Sequence, residues 1–346
     1  MQRLRSLDIF RGLTIAGMIL VNNPGSWTHV YAPLRHAEWH GWTPTDMVFP
    51  FFLWISGLAM TLSFARRKSE GADKSKLLLH ALRRGALIVL IGLALNFFGN
   101  PDIHSFRIPG VLPRIGVCYF AATALAIYLS RKQLAIAAAS LLAVYTTLML
   151  TWPSPDPWSM ENNFARHIDG IVLTGHMWSQ TKVWDPEGVV STIPAIVSVL
   201  LGILAGALLE RRDPKAFAVW GAILVTAGYA LSPWIPFNKA LWTPSFTLLM
   251  AGLASALFGL VFWLVENNIW QRGTRFFEIY GTNAIVSFVA SGMLARALSK
   301  QKPGIYEALQ SVASPINASL LYALLNVALI WLLAWILWRR KWYVRL

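Results

Sequence analysis

The stretch PTDMVFPFFLWISGLAMTLSFA, residues 44 to 65, decides the fold, because no charged side chain follows Asp46 within it. A helix of this length rises about 33 Å at 1.5 Å per residue, enough to cross a hydrocarbon core about 30 Å thick. It lacks the two-residue alternation of hydrophobicity that is typical of transmembrane β-strands. We therefore predict that this stretch is a membrane-spanning helix.

The rest of the chain repeats this apolar pattern. Of 346 residues, 56% are hydrophobic and 13% are charged, a more apolar composition than soluble domains have. No shift in composition marks a boundary, so we predict one domain, residues 1–346, that is an all-α integral membrane protein of about ten spanning helices. Because Asp8 and Arg11 interrupt the first apolar run, we expect a retained helix rather than a cleaved signal peptide. The predicted spans are residues 8–23, 44–65, 77–98, 113–130, 133–151, 191–209, 215–232, 246–266, 276–298 and 318–338.

The formal net charge of +14 could indicate nucleic-acid binding, but the basic residues lie in short loops between alternate spans. These are Arg3 and Arg5, the loop from Arg66 to Lys76, Arg131 and Lys132, Arg211, Arg212 and Lys215, Arg272 and Arg275, and the tail 339–345. The positive-inside rule then predicts that both termini are cytoplasmic, with membrane lipid and no nucleic acid as a partner. The predicted outer loops are residues 24–43, 99–112, 152–190, 233–245 and 299–317.

Several charged side chains lie within the predicted spans, where each costs about 2.5–3.5 kcal/mol even on a lenient insertion scale. Asp8 and Arg11 lie one turn apart on one helical face, which predicts either an ion pair at the membrane surface or a ligand-binding pair. Arg83 and Arg84 lie about two turns into their span, and Arg114 begins the next one. Arginines near membrane depth favour an anionic ligand with phosphates, with lipid headgroups as the alternative.

Titratable side chains gather at the mouth of the second span, in LRHAEWHGWTPTD, residues 34–46. His36 and His40 flank Glu38, but a zinc-protease helix needs the order His-Glu-x-x-His and a third ligand. We therefore predict no metal here. For His40 we expect no more than hydrogen bonding in a wet loop.

Two antiparallel helices joined by this loop would bring Asn22, His36 and Asp46 to one outer pocket. An imidazole can accept a proton from an amine or a hydroxyl at neutral pH, and an amide can donate to a developing oxyanion. Asp46 could orient the imidazole, bind a cationic substrate or cap the second helix. These three residues are the predicted catalytic group.

The late outer loop carries Asn238, Lys239, Trp242 and Ser245. An aromatic face with polar groups beside it suits a sugar, whereas tryptophan near a span end also suits the lipid headgroup level. The sequence leaves both interpretations open.

At these residues the chain resembles the heparan-α-glucosaminide N-acetyltransferases, a family of transmembrane acyltransferases with lysosomal and bacterial members. The resemblance rests on RLRSLDIFRGLTIAGMILVNN and LRHAEWHGWTPTDMVFPFFLWISG, followed in order by PGVLPRIGVCYF, FNKALWTPSF and YGTNAI. It implies transfer of an acetyl group from coenzyme A, supplied in the cytoplasm, to the amine of a glucosamine unit across the membrane. It also implies that His36 is the active histidine, Asn22 the catalytic asparagine and Arg114 the arginine of the RIG motif.

The resemblance makes acetyl-CoA the expected co-substrate. The predicted phosphate ligands are Arg11, Arg83, Arg84 and Arg114. The predicted acceptor-binding residues are Asp8, Glu38, Asn238, Lys239, Trp242 and Ser245. This chain departs from the lysosomal member in lacking a large extramembrane N-terminal domain, which leaves the polymer substrate open. We expect a protein of the bacterial inner membrane that acetylates free glucosamine, a short amino sugar or a terminal glucosaminide. A homodimer is compatible with this interpretation.

Two other functions are open at this point. An O-acyltransferase of a surface polysaccharide would use the same donor and a hydroxyl acceptor. An amino-sugar transporter would use intramembrane Asp, Glu and His to move protons. The predicted arginines fit an acyl donor with phosphates better than they fit a cationic sugar.

Overall fold

The computed structural model describes residues 4–69 (side chains to 64), 73–210 and 212–344, and within them the protein is helical with no β-strand. Two short 3-10 turns, Ala32–Leu34 and Pro44–Met47, precede the second helix. The α-helices, numbered in chain order, are α1 Arg5–Asn22, α2 Val48–Ser69, α3 Lys74–Gly99, α4 Val111–Tyr128, α5 Arg131–Thr151, α6 Phe164–Val172, α7 Thr192–Leu209, α8 Pro214–Leu231, α9 Pro244–Glu266, α10 Thr274–Thr282, α11 Ala284–Ala297, α12 Lys302–Gln310 and α13 Pro315–Arg339.

The prediction of an all-α membrane protein is confirmed, but the structure has fewer clear spans than the ten expected. Eight described helices are long and apolar enough to cross a membrane: α2 with its preceding turn, α3, α4, α5, α7, α8, α9 and α13. The first predicted span is α1, which carries Arg5, Asp8 and Arg11 within 18 residues. The predicted span 276–298 is two shorter helices, α10 and α11, that meet at Asn283.

Asn283 breaks that span because its backbone leaves the helical region and its side chain is engaged elsewhere. Its φ is −128° and its ψ is 42°. Its amide nitrogen donates to the carbonyl of Trp342 at 3.2 Å, and its amide oxygen accepts from the backbone N–H of Val344 at 3.0 Å. The chain after α13 is thereby tied to the α10–α11 junction.

Glycines let neighbouring helices approach closely. A Cβ added to Gly281 of α10 would lie 1.8 Å from the carbonyl oxygen of Asp8, and one added to Gly12 of α1 would lie 1.8 Å from that of Phe277. In the α3–α4 pair, a Cβ on Gly116 would lie 2.5 Å from the carbonyl oxygen of Gly85. Helices in lipid have no hydrophobic driving force for association, and the close packing that small residues allow at helix crossings takes its place.

The centre of the bundle is a cluster of buried aromatic rings. Trp54 of α2 and Phe258 of α9 are fully buried, with Phe10 of α1 edge-on to Trp54 at 6.5 Å between ring centroids. Phe217 of α8 meets Phe258 at 5.0 Å. These contacts join α1, α2, α8 and α9 into one packed core.

The long loops meet at one end of the bundle, which we call the loop end. Loop-to-loop hydrogen bonds join Gly41 N to Phe237 O (2.8 Å), Ile108 N to His176 O (3.0 Å), Trp39 Nε1 to Trp158 O (2.8 Å) and the Tyr31 hydroxyl to Asn317 Oδ1 (2.6 Å). The start of α1 lies at the opposite end, the terminal end, where Ser6 N donates to Glu266 Oε1 at 3.2 Å.

The orientation of these two ends in the membrane stays a prediction. Some of the basic residues on which it depends, Arg3, Arg66, Arg67, Lys68, Arg211 and Arg345, lie outside the residues or side chains that the structure describes.

Candidate active site

The carboxylate of Asp46 organises the loop before α2. Asp46 lies in the 3-10 turn Pro44–Met47, and its Oδ2 accepts the backbone N–H of Thr43 at 3.1 Å, which forms a capping box. The same oxygen accepts the backbone N–H of Ala37 at 3.1 Å. Asp46 therefore has the predicted capping role, but it uses only one of its two oxygens for backbone groups.

The other oxygen, Oδ1, binds the imidazole of His36, with 2.6 Å between Oδ1 and Nδ1. Because an ionised carboxylate only accepts hydrogen bonds, Nδ1 carries the hydrogen, and Nε2 keeps a lone pair that can accept a proton. The Asp46 side chain is 1% exposed, while the His36 side chain is 38% exposed. The imidazole of His36 is therefore a base of fixed orientation whose Nε2 is left to react.

Lys239 completes this group from the loop before α9. Its Nζ lies 3.2 Å from Asp46 Oδ1 and 3.0 Å from His36 Nδ1. Because the Nδ1 hydrogen already points to the carboxylate, the ammonium donates to Asp46 and is only a near neighbour of the ring. The predicted catalytic residues His36 and Asp46 are thus in contact, and Lys239, predicted as an acceptor-binding residue, joins them.

The other predicted residues of that loop are buried instead of forming an open sugar face. Asn238, Trp242 and Ser245 are at most 1% exposed. The Asn238 side chain accepts the backbone N–H of Leu241 at 2.8 Å, and Trp242 Nε1 donates to Ser198 Oγ at 3.0 Å. In the structure these three residues hold the loop against α7 and α9.

Arg114 lies at the loop end, fully buried at the start of α4. Its guanidinium is 5.2 Å from the centroid of the Trp242 ring, and Nη2 donates to the Gly188 carbonyl at 3.1 Å and to Ser191 Oγ. Its Nε and Nη1 are buried without a hydrogen-bond partner. The carboxylates of Glu187, Asp185 and Asp169 are the acidic groups that interact with its charge.

A carboxylate network in the loop 152–190 faces Arg114, and the sequence analysis did not identify it. Arg107 binds Asp185 through Nε at 2.8 Å and Nη2 at 2.5 Å, and it also binds Glu187. Burial alone would lower the pKa of Arg107, but the two carboxylates raise it above its ordinary value. The available signal was that this one loop holds five of the 16 Asp and Glu residues of the chain: Asp156, Glu161, Asp169, Asp185 and Glu187.

Asp169 of α6 anchors the same loop. Its carboxylate accepts the backbone N–H of Val189 at 3.0 Å and that of Asp185 at 3.1 Å. Burial raises the pKa of Asp169 to about 6, against the lowering effect of these two hydrogen bonds. A Cβ on Gly188 would lie 2.1 Å from Asp169 Oδ2, so the close approach needs glycine there.

Asn22 lines a different cavity at the loop end, of about 230 Å³, between α1, α3, α4 and α11. Asn22 is exposed, and no hydrogen bond between described atoms joins it to His36. Its neighbour Asn23 is buried and donates to Ser291 Oγ at 3.1 Å. The structure therefore does not bring the predicted amide into contact with the imidazole.

The predicted phosphate ligands do not form one cluster. Arg11 Nη1 lies 3.3 Å from Asp8 Oδ1 and donates to the Gly281 carbonyl at 3.2 Å, near the terminal end. Arg83 is exposed on α3. Arg84 lies over the Tyr119 ring, 4.8 Å from its centroid. Arg114 lies at the loop end, so these side chains have different partners and do not form one phosphate site.

The two acidic residues predicted to bind the acceptor are also far apart. Asp8 lies 14 positions before Asn22 on α1, about 21 Å along the helix. Glu38 is exposed two residues after His36. Only Glu38 is close to the imidazole in the chain. Within the described residues, no three His, Cys, Asp or Glu side chains are grouped as a metal site would require.

A second cavity, about 1210 Å³, opens at the terminal end between α2, α7, α8 and α9. Its charged lining residues are Glu210, Arg212, Asp213, Lys215 and Glu266. None of the four arginines predicted for phosphates lines it. Helix α2 connects the two ends, because its preceding turn holds Asp46 and its later residue Thr61 lines this cavity.

Comparisons with known proteins bear on this arrangement. Residues 3–233 match a family model described as heparan-alpha-glucosaminide N-acetyltransferase, catalytic. The heparan-alpha-glucosaminide N-acetyltransferase of Mus musculus is 30% identical over an aligned length of 355 positions, and the alignment covers 84% of this chain and 54% of that protein. The Homo sapiens protein of the same name is 29% identical over an aligned length of 350 positions, and the alignment covers 83% of this chain and 52% of that protein.

The family match includes the loop that carries His36 and Asp46, the whole carboxylate network and the first eight helices. The chain spans about half the length of the curated relatives that it matches. Because the match covers more than half of this chain, the protein belongs to the heparan-alpha-glucosaminide N-acetyltransferase catalytic family.

Proposed function

We propose that this protein transfers an acetyl group from acetyl-CoA to the amine of glucosamine or a terminal glucosaminide, with His36 as the reacting base or acetyl carrier. The observation that carries the proposal is the imidazole held by a buried carboxylate, with Nε2 left to react. The names of the relatives and the match to their catalytic family support an amino-sugar acceptor.

As a base, His36 Nε2 takes a proton from the acceptor nitrogen while that nitrogen attacks the thioester carbonyl carbon. The C–S bond then breaks, and the coenzyme A thiolate leaves and takes up the proton. As a carrier, Nε2 itself attacks the carbonyl carbon, the C–S bond breaks and the coenzyme A thiolate leaves. The acceptor amine then displaces the imidazole from the acetyl group and releases the proton that the thiolate takes up. In both cases Asp46 orients the ring and stabilises the imidazolium form.

Asn22 is the proposed donor to the oxygen that becomes negative in the tetrahedral intermediate. The Asn22 side chain faces a cavity and makes no hydrogen bond to His36. The bound acceptor and thioester would therefore have to bring the amide and the imidazole to the same carbonyl carbon. Lys239 compensates the buried charge of Asp46, and it keeps the carboxylate ionised beside the ring.

The donor nucleotide is proposed to enter the large cavity at the terminal end. Its volume exceeds the roughly 300–1,000 Å³ of ordinary small-molecule sites, and Arg212, Lys215 and Trp263 offer phosphate and ring contacts. From Thr61 to Asp46 is 15 residues, about 22 Å of helix, which the extended pantetheine arm would follow.

His36→Ala tests the chemical role. We expect it to abolish acetylation of glucosamine from acetyl-CoA by purified protein in detergent, while the thermal unfolding midpoint stays close to that of the unmodified protein. His40→Ala, which removes another exposed imidazole of the same loop, is the matched control and is expected to keep its turnover. Undiminished turnover in His36→Ala would end the proposal.

The acceptor and the order of steps are tested on the same preparation. A panel of amine and hydroxyl acceptors separates N-acetyl transfer from O-acyl transfer, and uptake of amino sugar into sealed vesicles without coenzyme A would instead support transport.

The dependence of the initial rate on both substrates gives the order of steps. Parallel lines in double-reciprocal plots would indicate the acetyl-imidazole carrier, and intersecting lines would indicate the ternary complex.

Ala218→Trp tests the donor cavity, because Ala218 lines it. Filling the cavity is expected to raise the KM for acetyl-CoA without a matching change in the KM for glucosamine. Val219→Trp places the same side chain on the next residue, which is exposed and outside the lining. Equal donor KM values for the two variants would contradict this entrance.

A further inference from the structure

The cavity that Asn22 lines combines guanidinium and amide side chains. Two guanidinium groups, Arg107 and Arg296, line it together with the amides of Asn22, Asn23 and Asn96, and no described Asp or Glu side chain does. At about 230 Å³ it is smaller than the roughly 300–1,000 Å³ of sites that enclose whole small molecules. Its size therefore suits one group of a larger ligand.

The two arginines differ in their partners. Arg107 is neutralised by Asp185 and Glu187. No carboxylate among the described residues lies within ion-pair distance of Arg296, whose Nη1 donates to the carbonyl of Gly292 at 2.9 Å. Arg296 is half-buried, so its uncompensated charge is the distinctive feature of the cavity.

Two glycines keep space for this guanidinium. A Cβ on Gly99, the last residue of α3, would lie 2.4 Å from Arg296 Nε, and a Cβ on Gly292 would lie 3.2 Å from Nη1. A cation in the last turn of α11 is stabilised by the helix dipole, which explains its place on that helix. The dipole does not explain why a residue of another helix, Gly99, leaves room for it.

We propose that this cavity is an anion subsite of the acceptor, in which Arg296 binds a carboxylate or phosphate group attached to the amino sugar. A guanidinium presents parallel N–H groups that match either anion in a bidentate manner. The inference rests on the proposed function, because Asn22 lines the same cavity and would bring the bound anion close to the acetylated amine. Arg296 is then a specificity-determining residue.

The test compares kcat/KM for three acceptors: methyl glucosaminide, which lacks an anionic group, glucosamine 6-phosphate, and glucosamine linked to a uronic acid. We expect one or both anionic acceptors to be preferred over the methyl glucosaminide by about tenfold, the value of one charge-assisted hydrogen bond. Which of the two is preferred distinguishes a phosphate from a carboxylate.

Arg296→Gln is expected to bring this ratio close to one. Lys300→Gln removes an exposed positive charge four residues later, outside the cavity lining, and is expected to keep the ratio. Gly99→Ala leaves the charge of Arg296 in place but displaces the guanidinium, so we expect it to lower the ratio as well. Gly99→Ala therefore tests the role of Arg296 even if Arg296→Gln does not fold.

Equal kcat/KM for all three acceptors in the unmodified protein would overturn the anion subsite and leave the proposed N-acetyltransferase standing. A preference that persists in both Arg296→Gln and Gly99→Ala would overturn the role of Arg296. Failure of the unmodified protein to acetylate any amine would overturn the proposed function itself, and with it this subsite.

Discussion

Asp46→Asn changes the chemistry of the His36 group with little change in shape. Oδ2 of Asp46 accepts two backbone N–H groups, those of Ala37 and Thr43, so the amide oxygen is expected to take that position. The amide NH₂ then takes the place of Oδ1, 2.6 Å from His36 Nδ1 in the unmodified protein. Because the NH₂ group only donates, Nδ1 must accept, and the ring hydrogen moves to Nε2.

The magnitude follows from that change of tautomer. With a hydrogen on Nε2, the ring cannot take a proton from the acceptor or attack the thioester. The same inversion in a serine-protease triad lowers kcat about 10⁴-fold, and we expect a loss of about three to four orders of magnitude here. Lys239 also loses its ionic partner, at a cost of about 1.5 kcal/mol, the lower end for charged hydrogen bonds because its side chain is 24% exposed.

The assay is turnover of glucosamine with acetyl-CoA, together with ¹⁵N NMR of the imidazole, which distinguishes the two neutral tautomers. Asp102→Asn is the matched control, because Asp102 is an exposed carboxylate of another loop at the loop end, and its described partners are His104 and Ser105. Turnover of Asp46→Asn within tenfold of the unmodified protein, or an Nδ1–H tautomer that persists in the variant, would refute this account.

Two further predictions concern stability. Because burial raises the pKa of Asp169 from 3.8 to about 6, its contribution to stability is fully present below pH 4 and is lost as the pH rises through 6. Relative to Asp169→Asn, the unmodified protein should lose about 2–3 kcal/mol of unfolding free energy between pH 4 and pH 7, and a pH-independent difference would contradict this. Gly281→Ala should destabilise by about 3 kcal/mol or more, since its Cβ would overlap the carbonyl of Asp8. Gly304→Ala on α12, where no atom lies within 4 Å of an added Cβ, is the control, and equal unfolding midpoints would contradict the tight α1–α10 crossing.

The helical membrane character could be predicted because it depends on local composition. A run of about 20 apolar residues has to satisfy its backbone hydrogen bonds internally in lipid, and a helix is the local way to do so. The break at Asn283 could not be predicted in this way. The break depends on hydrogen bonds between Asn283 and the backbone of Trp342 and Val344, about 60 positions later.

Part of the candidate site could also be predicted from the sequence. His36 and Asp46 lie ten residues apart on one short loop, so any compact loop brings them close, and the capping pattern at Thr43 places the carboxylate in the first turn. Lys239 is 193 residues beyond Asp46, and the packing of two loops at the loop end brings its ammonium to that carboxylate.

Spacing and hydropathy act over a few turns of the chain, so the sequence was enough to predict a helical membrane protein with an imidazole and a carboxylate beside the second span. The partners of the charged groups depend on tertiary packing. That packing holds Arg11, Arg84 and Arg114 against different partners, buries Asn238 and Trp242, and leaves Arg296 with no carboxylate partner among the described residues, because these outcomes depend on how distant helices cross and on the glycines that set their separation.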